Sequence, residues 1–392
     1  MRTLLRRAII AIALVLLMLV PAFGLMAITG QPAATYTALA TLIGVGAVMG
    51  GGLRIGVITA IVVALLAPLA VVAGITPITG AALMAIMTLA VGRLSTFGLH
   101  KATVLVPVMI AWPMLAPVPW LPHGKLQELN VLLTQQGSSL VDALNAVQGK
   151  TPPASGSSND VMAHMITELR MDSTYLTWLM VIFFIGAMFP VLIAFAFRHK
   201  LPELKLALHP RRETVPYTIV ITVLAAAATY YFLSNPSLPG GAFLIAVILI
   251  LTQVGEDTAW RLTLERVIGT FIGVLIFMGI NALIGDTTYV NFFGLPIPGK
   301  IYLIGIAFAV AAIMAKFSSR HWIYFILIVP TTAYLNAFTV GEAAGLGKAR
   351  LIDNAVGAAL VFVAALITLV ASRWYSKKFP ADPNAPVKAS PA

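Results

Sequence analysis

The residues of this chain best equipped for chemistry are arginines and acids placed beside apolar runs. Leu264–Ile280 carries Glu265 and Arg266 at its start and no charge thereafter. On a helix Arg266, Gly269, Thr270 and Gly273 fall at i, i+3, i+4 and i+7. They therefore share one face, on which the two glycines form a small-xxx-small pair that admits a close neighbour. An arginine on that face is expected to point into protein or a wet cavity rather than into lipid. With the helix N-terminus at the cytoplasm, its guanidinium and the helix dipole would favour an anion at the inner mouth. The plainer alternative is an interfacial anchor paired with Glu265 or Glu256.

Arg54, in Leu53-Arg54-Ile-Gly56, is the second candidate, and Arg320 extends the set. With Arg93, Lys101 and Lys316 they would make an electropositive funnel for carboxylates, or they are charges that only set topology. Arg266, Arg54, Thr270 and Arg320 are thus the expected substrate-binding residues. Glu256 and Asp257, beside an apolar run, could carry coupling protons if burial raises a carboxyl pKa, or could bridge to Arg261 or Arg266. Arg350 and Asp353, three apart, allow an ion pair that is either structural or an outer gate. The histidines at 100, 123, 164, 199, 209 and 321 lack metal-ligand spacing, and no GxxxxGK[ST] loop for ATP is present, so no metal and no cofactor are expected. Nothing here points to an enzyme. The absence of Cys excludes disulfides and a catalytic thiolate.

The elements that must position these residues are apolar. Of 392 residues, 59% are hydrophobic and 10% charged, and the mean hydropathy is +0.95. That is an integral membrane protein, and apolar runs separated by short charged loops read as helices rather than alternating strands. Twelve spans are expected at about 1–29, 35–51, 54–74, 78–93, 102–120, 176–197, 215–234, 240–255, 264–284, 301–316, 322–339 and 351–372. The run 35–51 ends in Gly50-Gly51-Gly52, where the helix can be interrupted. The net charge of +11 lies in loops beside spans, so it reads as topology and not as a nucleic-acid surface. The excess of Lys and Arg on one side places both termini in the cytoplasm.

The halves echo each other. Arg6-Arg7 matches Arg211-Arg212, Leu53-Arg54-Ile-Gly56 matches Glu265-Arg266-Val-Ile-Gly269, and Pro107 matches Pro330. The expected organisation is all-α: a first six-helix repeat at 1–197, with an outer loop at about 121–175, and a cytoplasmic linker at 198–214. A second repeat follows at 215–372, then a disordered tail at 373–392. Six spans per unit make this a parallel 6+6 repeat about an axis along the membrane normal.

Arg266-Val-Ile-Gly269-Thr270-Phe-Ile-Gly273, preceded by Arg261, resembles the Arg-x-x-Gly-Thr-x-x-Gly signature of the fusaric acid resistance and aromatic acid exporter superfamily. Arg350-Leu-Ile-Asp353-Asn-Ala-Val-Gly357 resembles that family's closing helix. Plant aluminium-activated malate transporters are more distant relatives with the same six-span unit. The resemblance implies proton-driven export of small aromatic or amphipathic organic acids across the inner membrane, with a periplasmic adaptor protein as partner. Long members carry soluble domains after each unit, whereas here only 198–214 joins the halves. A passive organic-anion channel and a non-transporting scaffold or assembly protein are the alternatives. Gly46-x-x-x-Gly50 and Gly269-x-x-x-Gly273 could serve a homo-oligomer as well as packing within one chain.

Overall fold

The computed structural model describes residues 2–115, 117–118, 170–200, 208–209, 211–235, 241–251, 259–284, 289–292, 295–316 and 321–335, with isolated positions at 125, 127, 128, 131, 132, 135, 146, 356, 359 and 360. The helices are α1 (Arg2–Thr29), α2 (Tyr36–Ala73), α3 (Pro77–Ser95), α4 (His100–Thr103), α5 (Leu105–Leu115), α6 (Ser173–Ala196), α7 (Arg211–Ser234), α8 (Gly241–Leu251), α9 (Ala259–Ile284), α10 (Gly299–Lys316) and α11 (His321–Leu335). Among the described residues, five stretches are helical, long and apolar enough to cross a membrane: Arg7–Thr29, Ala33–Ala73, Pro77–Ser95, Ser173–Ala196 and Thr214–Ser234. The chain is a helical membrane protein. Most of the expected span 351–372, the tail and most of the outer loop lie outside the described residues.

Helix α2 is a hairpin written as one helix. Its 38 residues would extend about 57 Å if straight, nearly twice the ~30 Å hydrocarbon core. At Gly52 the backbone takes φ 78° and ψ −179°, a region open essentially to glycine alone. The chain then returns: a Cβ on Gly56 would lie 2.8 Å from Val48 Cγ2, whereas residues eight apart on a straight helix stand about 12 Å apart. The arms 36–51 and 53–73 therefore run antiparallel.

Small residues let α6 lie against both arms. Gly44 faces Ala187 and Pro190, Gly186 faces Thr37 and Ala40, and Gly56 faces Val191. A local cap starts α6, where the Asp172 carboxylate accepts from the Thr174 N–H at 2.8 Å. Helix α3 begins with Pro77 behind a Thr76 cap and lies antiparallel to α7, with Gly80 against Leu233 and Gly92 against Thr218. Correspondingly, α10 packs along α1, while α9 and α10 both pack on α11. Tyr175, Leu179, Ile182, Phe183, Met114 and Ile221 are among the fully buried side chains at the centre.

The two ends of the bundle differ. One end gathers the turn at Gly52, the α3–α4 junction, the end of α6 and the start of α7. The other gathers Tyr36, Val71, Met114 and Arg170, where the Val118 N–H donates to the Tyr36 hydroxyl at 2.8 Å.

One element departs from the all-α expectation. Tyr289–Phe292 and Leu295–Pro298 pair antiparallel between α9 and α10, in register Val290↔Ile297 and Phe292↔Leu295. Tyr-Val-Asn-Phe favours a strand, and Pro296 and Pro298 confine the pairing to a short, edge-bounded ribbon.

Candidate functional site

The signature helix α9 presents its small face to α11. A Cβ on Gly269 would sit 2.7 Å from Phe325 Cβ and 2.9 Å from the Trp322 carbonyl oxygen, and one on Gly273 would sit 2.5 Å from the Ile326 carbonyl oxygen. Thr270, 3% exposed, lies in the same seam, and Val274 and Phe277 continue it. The opposite side of α9 exposes Ile268, Phe271, Leu275 and Met278. Helical register puts position 266 in line with Gly269, Thr270 and Gly273, at the head of the buried side. Arg266 is described in its backbone alone, and Glu265 is half-buried.

Arg54 is placed differently. It is exposed and heads the row Val57, Ile58, Ile61 and Leu65, all exposed, on the outward side of the 53–73 arm. The spacing gives the reason. Arg54 precedes Gly56 by two residues whereas Arg266 precedes Gly269 by three, and one residue turns a helix by about 100°. The two matched arginines therefore begin opposite faces.

Gly46 and Gly50 lie against the neighbouring helical segment, where a Cβ on Gly46 would meet Leu105 Cδ1 at 2.8 Å and one on Gly50 the Ala102 nitrogen at 2.6 Å. Both glycine pairs thus face a helix of their own chain. Arg320, Glu256, Asp257, Arg350 and Asp353 lie outside the described residues.

Two groups not singled out by the sequence are central to the bundle's ends. Arg170, which falls in the expected outer loop at about 121–175, is 6% exposed. It donates from Nη1 to the Val71 carbonyl at 3.1 Å and from Nη2 to the Met114 carbonyl at 3.0 Å. Burial pulls its pKa down to about 10, against the opposing effect of the Tyr175 and Tyr36 phenols. Its partners stand 99 and 56 residues away in the chain, so local spacing carries no sign of the contact.

At the other end His100, just before the expected span 102–120, joins the end of α3 to α7. Its Nδ1 stands 3.2 Å from Ser95 Oγ and 3.4 Å from the Tyr217 hydroxyl of α7, and its ring meets that of Tyr217 edge-on at 5.3 Å. Ser95 donates its own proton to the Val91 carbonyl at 2.8 Å, so toward His100 it acts as acceptor. Burial first, then His209 and Lys101, pull the His100 pKa down to about 4. The imidazole is held neutral.

No family model, curated protein or solved structure matches the chain.

Proposed function

We propose that the chain is a twelve-span inner-membrane exporter of small aromatic and other organic acids, built as two parallel six-helix repeats with both termini cytoplasmic and driven by the proton motive force. The observation that carries this reading is the crossed packing of the halves. In the twelve-span count α3 is the fourth span and α7 the seventh, while α10 is the tenth and α1 the first. A two-fold axis along the membrane normal exchanges span 1 with 7 and span 4 with 10, so it converts the α3–α7 contact into the α10–α1 contact. A pathway between six-helix units follows that axis.

In this reading Arg266, at the first turns of α9, meets the substrate carboxylate at the inner mouth, where helix dipole and guanidinium act together. Arg320 adds to the field there. Glu256 and Asp257 carry the coupling proton, and the Arg350–Asp353 pair gates the outer side. Release to a periplasmic adaptor protein completes the path. The cations at the same end, Arg93 and Lys101 among them, supply an attractive field for anions.

The test is export of a panel of carboxylic acids from cells carrying wild type, Arg266→Ala or Arg266→Lys at matched membrane abundance, with the proton gradient intact or collapsed at fixed voltage. Loss of export in Arg266→Ala and its dependence on the gradient are expected. Unchanged export in that variant overturns the anion site, and export indifferent to the gradient overturns the coupling.

A further inference from the structure

Between the 53–73 arm and the end of α6 runs a shallow groove of about 380 Å³, lined by Leu53, Val57, Met188, Val191, Leu192 and Phe195, with Arg54 at its rim. Val57, Leu192 and Phe195 are 37%, 58% and 57% exposed. The same row continues as exposed Ile58, Ile61 and Leu65, so this wall faces outward from the bundle, where the bilayer lies. Arg198, two residues beyond the end of α6, turns back so that its guanidinium lies 5.3 Å from the centre of the Phe195 ring. Among the described residues neither Arg54 nor Arg198 makes an ion pair with a carboxylate.

We propose that this groove binds one anionic phospholipid of the cytoplasmic leaflet, an acyl chain lying along Val57, Met188 and Leu192 and the headgroup phosphate held between Arg54 and Arg198. Three features converge. The groove wall is a hydrocarbon surface that water does not solvate well and an acyl chain does. The two cations stand at one end of it, on the side where Lys and Arg gather and where anionic headgroups lie. Both are arginines, whose forked donors match phosphate oxygens two at a time.

The backbone explains how they come together. Gly52 turns the chain so that Arg54 emerges within the first turn of the returning arm, and the C-terminal dipole of α6 favours a cation just beyond Ala196. A transported acid is not the occupant, because the groove lies on the outward face, away from the contacts of α3 with α7 and of α10 with α1. The assignment does not depend on the proposed export activity, but it rests on the cytoplasmic orientation proposed for this end of the bundle.

The experiment uses the full chain released from nanodiscs of equal parts phosphatidylglycerol and phosphatidylcholine, with retained lipid counted by native mass spectrometry. Wild type is expected to keep one phosphatidylglycerol in preference to phosphatidylcholine. Each of Arg54→Gln and Arg198→Gln should lower that preference about fivefold, as about 1 kcal/mol per surface cation implies. Arg54→Lys should keep part of it. Val57→Trp, which fills the groove and leaves both arginines, should abolish retention. Thermal melting in phosphatidylcholine alone, equal to wild type, certifies that the variants are folded. An unchanged preference in the Arg54→Gln, Arg198→Gln double variant overturns the headgroup site, and unchanged retention in Val57→Trp overturns the groove. Complete displacement by millimolar glycerol phosphate would show recognition of phosphate without the acyl chain, and it too would overturn the proposal.

Discussion

The guanidinium of Arg170 fills the space that a side chain on Gly74 would occupy. From there it donates to the carbonyls of Val71 and Met114, which belong to the last turns of α2 and α5. Those carbonyls are the negative ends of two helix dipoles, and neither has an acceptor role left inside its own helix. A buried cation without a carboxylate is ordinarily costly. Among the described residues, two helix ends stand in here for the carboxylate, and the cation ties the 53–73 arm and α5 to the start of α6.

Gly74→Ala should therefore act through Arg170. The methyl group displaces the guanidinium and leaves both carbonyls and the charge unmet, a loss of about 2–4 kcal/mol in unfolding free energy. In an Arg170→Ala background the same substitution should cost less, because the guanidinium is gone and only the Met114 carbonyl oxygen, 2.7 Å from the new Cβ, remains to be met. Unfolding in mixed micelles, run as a double-mutant cycle, reads the difference. Arg170→Lys should not restore wild-type stability, because one ammonium on a flexible stem does not reproduce the fork.

At Gly52 the penalty is conformational and not steric. No atom stands within 4 Å of a Cβ placed there, yet φ is +78°. Gly52→Ala and Gly52→Ser should each destabilise by about 1–3 kcal/mol and by the same amount, whatever the side chain. Unequal losses measured in the same unfolding assay would point to a contact instead.

Much of this architecture can be read from the chain. Gly50-Gly51-Gly52 marks the break between the expected spans 35–51 and 54–74, although only the backbone tells which glycine turns. The face shared by Gly269, Thr270 and Gly273 follows from period alone, and it meets α11. The likeness of Arg54 to Arg266 conceals the one-residue difference in their distance to glycine, which sends the first outward and sets the second in line with the seam. Arg170 was not legible as a site because its partners are distant in sequence and are backbone carbonyls, which every residue possesses. The β-hairpin escaped because two prolines within four residues read as a loop.

The α9–α11 seam predicts opposite signs for two substitutions of one kind. Gly273→Ala meets the Ile326 carbonyl, a backbone atom that cannot swing away, and should cost about 1–3 kcal/mol as overpacking. Gly279, two turns along the same helix, has no atom within 4 Å of an added Cβ. There alanine should raise stability by up to about 1 kcal/mol through helix propensity. Unfolding of the two variants side by side checks the contrast.

The His100 junction sets a pH dependence with a definite sign. Its pKa falls from about 6.5 in the unfolded chain to about 4 in the fold. Between those values the unfolded chain takes up a proton that the folded one refuses. Its contribution to stability is therefore complete above about pH 6.5, declines as the pH falls toward 4, and changes no further below. Burial sets this first, then His209 before α7 and Lys101 on its own helix, while Ser95 and Tyr217 stand against the ring. Replacing His100 with Gln should flatten the wild-type slope of melting temperature against pH between 4 and 6.5. Lys101→Met should raise the folded pKa and so narrow the window from its acid side. A slope that persists unchanged in His100→Gln would assign the titration to another group and remove His100 from the account.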